Sequence, residues 1–150
     1  MRKLNLTIPP ESDRIIGFTI PKAESFYMCD HDEVWRVSIG AAPSLEVTEH
    51  ESYEFVAGRT DFLGLVFKGF SKNAPLLRVG QNEIAYDFNP KKDFVAVNYK
   101  ITGRSGRIDF RILSGDWFAA SFSDDGRYLV IAEPYGIELY ALDEHPPSGD

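Results

Sequence analysis

Polar and apolar side chains alternate with a period of two in many segments of this chain, and this alternation restricts its fold more than any other feature. Residues 3–8, 83–88 and 107–112 alternate in this way. Successive side chains of an extended strand point to opposite faces, so these segments form strands with one face in water and one in a core. The pattern therefore predicts an all-β protein built from antiparallel sheets.

Short runs of β-forming residues fill much of the remaining sequence, and turn-forming residues separate them. Asp125-Gly126 is the strongest hairpin signal, because glycine adopts a positive φ at no steric cost. Residues 103–106 are interpreted as a second hairpin tip, and no segment has clear helical periodicity. Further strands are predicted over residues 15–20, 34–39, 53–57, 63–67, 94–101, 118–122, 128–132 and 137–142.

Length and composition narrow the class of protein. A chain of 150 residues can bury a core without cross-links, and we predict a single domain over residues 1–144 with a flexible tail at 145–150. The single cysteine, Cys29, excludes an internal disulfide and favours the cytoplasm. No apolar run reaches the ~20 residues of a membrane helix. The net charge of −7 argues against nucleic acid as the main partner.

The sequence contains an internal repeat. Residues 88–97 align without a gap on residues 122–131, which begin 34 positions later, with aromatic side chains at the first and seventh places of both copies. Weaker copies at 28–37 and 56–65 keep only three apolar places. A repeat of this kind indicates that one supersecondary unit recurs along the chain.

Residues 118–142 resemble a blade of the WD40-like β-propeller family. In that family a strand ending in phenylalanine and serine, here Phe122-Ser123, leads through a short Asp-Gly turn, here Asp125-Gly126, into a second strand. A third strand follows a glycine, here Gly136. The resemblance implies compact, propeller-like meanders.

The chain departs from that family pattern in several places. Asp124 stands where the turn usually has a proline, Tyr140-Ala141 replaces the Trp-Asp dipeptide, and the second copy of the blade spans about residues 86–113. Blades of ~40–45 residues would not complete a ring in this length. A β-sandwich or partial barrel, a compact four-unit ring, and an open stack of hairpins closed by dimerisation therefore remain as alternatives.

Charge is distributed unevenly along the sequence. Residues 24–61 contain nine acidic and two basic side chains, whereas residues 91–111 contain six basic and two acidic ones. An acidic surface attracts and orients a basic protein partner. We also expect a half-exposed indole at Trp117 to anchor such a partner. The predicted partner-binding residues are Asp30, Asp32, Glu33, Glu46, Glu49, Glu51, Glu54 and Trp117.

Residues 29–33 also suggest a metal site, because they contain four types of potential ligand. In a strand, Cys29, His31 and Glu33 would share one face, and either His50 or His145 would have to complete the set. This interpretation predicts a small metal-dependent hydrolase.

The sequence favours a non-catalytic protein-binding domain, for which no catalytic residue, metal or other cofactor is assigned. Such a domain could be a stoichiometric inhibitor, such as an immunity-type protein that neutralises a basic toxin. The alternatives are a self-assembling β scaffold and the metal-dependent hydrolase based on residues 29–33. We expect a basic protein partner and no nucleic-acid or membrane partner, and self-association stays open.

Overall fold

The computed structural model describes residues 1–7, 14–40, 42–53, 67–69 and 75–142. In these ranges the chain forms thirteen β-strands, and it contains no helix that is long and apolar enough to cross a membrane. The strands are β1 (Arg2–Leu4), β2 (Gly17–Thr19), β3 (Ser25–Cys29), β4 (Val34–Ser38), β5 (Ser44–Val47), β6 (Phe67–Gly69), β7 (Arg78–Val79), β8 (Asn82–Ala85), β9 (Phe94–Ile101), β10 (Arg104–Arg111), β11 (Ala119–Phe122), β12 (Tyr128–Glu133) and β13 (Gly136–Ala141).

The strands form three antiparallel sheets, which confirms the predicted all-β class. A five-stranded sheet has the order β5-β4-β3-β2-β6. A central sheet has the order β1-β13-β12-β11, and an outer four-stranded sheet has the order β10-β9-β8-β7. Consecutive strands are mostly neighbours, so each sheet is largely a meander, and the exceptions are β1, which pairs with β13, and β6, which pairs with β2. None of the three sheets closes into a barrel over the residues that the structure describes.

The central sheet is buried on both faces. Along β12, Val130 and Ala132 pack in one cluster with the five-stranded sheet, whereas Leu129 and Ile131 pack in a second cluster with the outer four-stranded sheet. Because both faces are covered, β12 reads as a continuous apolar run and not as an alternation. The fold is therefore a stack of three layers with the central sheet between the other two.

The internal repeat corresponds to equivalent strands in two sheets. The first copy leads into β9, which lies between β8 and β10, and the second leads into β12, which lies between β11 and β13. β9 begins at Phe94 and β12 at Tyr128, the seventh positions of the two copies. The second half of each copy is thus the middle strand of a three-stranded unit, whereas Phe122 ends β11 and Phe88 lies outside β8.

Several local predictions differ from the structure. The second hairpin tip is at Thr102-Gly103, with φ of 50° and 79°, and β10 already starts at Arg104. The sequence pattern missed β3, which does not alternate strictly, β5, which alternates over only four residues, and β7, which has only two residues. The predicted strands 53–57 and 63–67 fall almost wholly outside the described residues, and the predicted tail 145–150 lies outside them completely.

Candidate functional site

β4 and β5 carry the first part of the predicted acidic surface. Trp35 and Val37 of β4 are buried toward the central sheet, and Arg36 between them is exposed on the opposite side. The strand register places Arg36 directly opposite Glu46 of β5, which is also exposed. The pleat of the sheet therefore presents Glu46 on its outer surface, as the sequence predicts.

The segment after β5 folds back and is fixed to the strands beneath it. Thr48 donates hydrogen bonds from both its backbone N–H and its Oγ1 to the carbonyl oxygen of Val34, at 2.9 Å each. The Ser52 hydroxyl donates to the carbonyl oxygen of His31 at 2.7 Å. Between these anchors, the His50 ring meets an aromatic ring of β3 edge-on, with 5.9 Å between centroids. This return brings the acidic residues after β5 beside the turn between β3 and β4.

The resulting surface combines exposed carboxylates with one large exposed aromatic side chain, Tyr53, which is 67% exposed. Val47 is also exposed, but it pairs with Trp35 and therefore lies on the other face of the sheet from Glu46. Asp32, Glu46, Glu49 and Glu51 are exposed, and Glu33 is half-buried. Glu54, which was predicted to belong to the same surface, lies outside the described residues. We call this surface the acidic face, which consists of Asp32, Glu33, Glu46, Glu49, Glu51 and Tyr53.

Asp30 has a different position from the other predicted acids. Its side chain is only 1% exposed, and its Oδ1 accepts hydrogen bonds from the backbone N–H groups of Asp32 and Glu33, at 2.8 Å each. The Asp30 N–H in turn donates to the Glu33 carbonyl oxygen at 3.1 Å. An aspartate that bonds its own backbone in this way stabilises a tight turn. Asp30 therefore shapes the acidic face from beneath and is not part of the exposed surface.

Trp117 lies in the core, so the expectation of a half-exposed indole is wrong. It is 7% exposed and packs in the cluster between the central and five-stranded sheets, 6.5 Å from Phe18 between ring centroids. Its Nε1 has no hydrogen-bond partner among the residues that the structure describes. The sequence placed Trp117 at the start of a strand but gave no information about the sheet that covers it.

The residues of the suggested metal site do not converge. Over the described ranges there is no group of three or more histidine, cysteine or acidic side chains with a geometry that could hold a metal ion. Cys29 is fully buried, and burial, reinforced by the negative charge of Asp30, raises the pKa of its thiol well above the usual range. A thiol that resists ionisation is a poor metal ligand and a poor nucleophile. His145, the other ligand suggested from the sequence, lies outside the described residues.

The carboxylate of Glu133 is buried, although no feature of the sequence singled it out. It is 1% exposed, and its two oxygens accept hydrogen bonds from the backbone N–H groups of Leu113, Ser114 and Tyr135. The only sequence signal is an acidic residue at the end of an apolar run. Its three backbone donors give it a structural role, since they tie the loop after β10 to the turn after β12.

The basic part of the sequence lies on the opposite side of the stack. On the outer four-stranded sheet, Val95, Val97 and Phe110 pack toward the central sheet. The side chains that alternate with these along β9 and β10 point to the other face of the sheet. Lys100 and Arg107 are exposed there. The acidic face and this basic face therefore lie on the two outer layers of the stack, with the central sheet between them.

Comparison with known proteins gives no family membership: no protein-family model, curated protein or solved structure matches this chain.

Proposed function

We propose that this chain is a non-catalytic domain that binds a basic protein through its acidic face. One observation carries the proposal: exposed carboxylates and a large exposed aromatic side chain, Tyr53, lie on a segment fixed to the sheet. Carboxylates attract a basic partner and orient it. An aromatic side chain that becomes buried at the centre of the complex supplies binding free energy. Within this class, a stoichiometric inhibitor of the immunity type fits the size and charge.

The hydrogen bonds beneath the acidic face support this role. Thr48 and Ser52 hold the segment after β5 on the strands beneath it, so its position is fixed before a partner arrives. Preorganisation lowers the entropy that a complex loses on forming. A cytoplasmic location agrees with a chain whose single thiol, Cys29, is buried and unpaired.

Neutralising the acidic face tests the proposal. We expect the triple variant Glu46→Gln, Glu49→Gln, Glu51→Gln to weaken partner binding by about tenfold or more, because it removes three of the charges that attract a basic surface. The partner is recovered by pull-down from native lysate at low and high salt and identified by mass spectrometry. Calorimetry then compares its affinity for the wild type and for the variant. The wild-type complex should also weaken as salt rises.

A matched control removes three exposed or half-exposed carboxylates elsewhere, by Glu83→Gln, Asp87→Asn and Asp93→Asn. This control should bind like the wild type, although its net charge changes by the same amount. If no basic protein is recovered in near-equal amount, or if the Glu46, Glu49, Glu51 variant binds as well as the control, the proposal is wrong.

A further inference from the structure

β10 is a long strand at the edge of the outer four-stranded sheet. It has eight residues, whereas the strands at the other described sheet edges have two to four. It pairs with β9 on one side, and no other described residue forms a ladder with it. An edge of this length offers a row of backbone N–H and C=O groups to another strand.

The β9–β10 turn determines which backbone groups point outward. Ile101 and Arg104 flank a two-residue turn, and such residues form a hydrogen-bonded pair. Hydrogen-bonded pairs recur at every second residue, so the even-numbered residues of β10 bond to β9. The residues that direct their N–H and C=O groups away from β9 are therefore Ser105, Arg107, Asp109 and Arg111.

We propose that β10 pairs antiparallel with β10 of a second copy, with Ile108 on the two-fold axis. In this register Arg107 of each copy lies opposite Asp109 of the other, and both side chains are on the exposed face of the sheet. Opposite charges facing each other across a ladder stabilise it, and like charges destabilise it. The pairing joins the two outer four-stranded sheets into one continuous sheet.

Charge selects this register over its neighbours. A shift of two residues in one direction places Arg107 opposite the Arg107 of the second copy, and a shift in the other direction places Asp109 opposite Asp109. A shift of one residue sets outward-directed backbone groups against inward-directed ones, which breaks the ladder. The inference is independent of the acidic face, which belongs to a different layer.

Charge reversal at the edge tests the register. We expect Asp109→Arg to raise the dimer dissociation constant about tenfold, since two attractive pairs become repulsive. This substitution changes the net charge from −7 to −5 and so reduces general repulsion between copies. A weaker dimer must then come from local contacts. The double variant Arg107→Asp, Asp109→Arg restores opposite charges at the original net charge and should dimerise like the wild type. Sedimentation velocity over a concentration series measures all three proteins.

Cysteine cross-linking gives a second test. Ile108 is its own partner in the proposed register and forms a non-hydrogen-bonded pair, whose Cα separation of about 4.5 Å permits a disulfide. We expect Ile108→Cys to form a covalent dimer on mild oxidation. Ser105→Cys is the control, because the two copies of that residue lie six positions out of register and should not cross-link.

Specific outcomes would overturn the inference. The wild type could remain monomeric throughout the concentration series, or Asp109→Arg could dimerise as tightly as the wild type. The double variant could stay as weak as the single one, or Ser105→Cys could cross-link as readily as Ile108→Cys. Circular dichroism of each variant verifies that it is folded.

Discussion

At the residue scale, the turn between β2 and β3 contains two consecutive non-glycine residues with positive φ, Ala23 at 52° and Glu24 at 64°. This conformation costs L-residues roughly 1–2 kcal/mol each, because Cβ approaches the following carbonyl oxygen. A contact across the layers holds Glu24 in place: the Tyr128 hydroxyl donates a hydrogen bond to its Oε1 at 3.1 Å. The same bond contributes, after burial, to raising the pKa of Tyr128.

We expect Ala23→Asn to stabilise the protein by about 0.5–1 kcal/mol, because asparagine tolerates positive φ and is favoured at the first position of such a turn. The melting temperature should rise by roughly 1–4 °C for a chain of this size. Differential scanning calorimetry measures this shift.

Two control substitutions accompany this prediction. Ala85→Asn, at an exposed position of β8, should give no gain, since Ala85 does not have a positive φ. Glu24→Asn should give less than Ala23→Asn, since it removes the acceptor of the Tyr128 hydroxyl. A decrease in melting temperature for Ala23→Asn would contradict the argument.

At the scale of elements, the β11–β12 hairpin is organised by Asp125. Its Oδ1 accepts hydrogen bonds from the Ser123 hydroxyl at 2.7 Å and the Arg127 backbone N–H at 3.0 Å, and its Oδ2 accepts one from Arg127 Nε at 2.8 Å. Burial alone would raise the pKa of Asp125, but these hydrogen bonds and the charge of Arg127 outweigh it and lower the pKa. Gly126 supplies the positive φ of 77° that the turn requires.

The lowered pKa of Asp125 predicts how the stability of the hairpin depends on pH. A carboxyl with a lower pKa in the folded state stabilises the fold above its unfolded pKa, near the ordinary value of 3.8, and loses that contribution as the pH falls through the folded pKa. Asp125→Asn should therefore be less stable than the wild type at neutral pH, by at most about 1 kcal/mol for this exposed turn. The difference should shrink as the pH falls below about 4.

Urea unfolding at pH 7 and at successively lower pH measures this difference. Asp124→Asn, at the adjacent exposed position, serves as the control and should track the wild type across the series. A constant gap between Asp125→Asn and the wild type down to the lowest pH would show that ionisation of this carboxyl does not stabilise the turn.

At the scale of the whole molecule, the central sheet joins two apolar clusters that have no buried residue in common. Leu139 on β13 belongs to the cluster with the five-stranded sheet, and Leu129 on β12 belongs to the cluster with the outer four-stranded sheet. Both side chains are fully buried. Both tryptophans, Trp35 and Trp117, lie in the first cluster, so their fluorescence reports on one side of the stack.

We expect Leu129→Ala and Leu139→Ala to destabilise the protein by about 2–5 kcal/mol each, because both leave cavities in packed cores. If the three layers unfold together, tryptophan fluorescence and circular dichroism will give coincident denaturation curves for both variants. The predicted single domain rests on this cooperativity. If Leu129→Ala shifts the transition seen by circular dichroism but leaves the fluorescence transition unchanged, the layers unfold separately.

The sequence by itself determined the class of the fold, because strand alternation and turn chemistry act over a few neighbouring residues. The bounds predicted for β9, 94–101, are those of the structure, and the hairpin at Asp125-Gly126 is confirmed. Glu46, expected on an acidic surface, is exposed. β3, which does not alternate strictly, and β5, whose alternation spans only four residues, gave too weak a local signal and were missed.

Tertiary structure alone decided which surfaces are covered. Asp30 and Asp32 have the same charge and would share a strand face, yet one is buried in a turn by its own backbone bonds and the other is exposed. Trp117 is buried because the five-stranded sheet packs over it. Alternation defines two faces for each strand but does not specify what packs on either, since that depends on contacts between residues far apart in sequence.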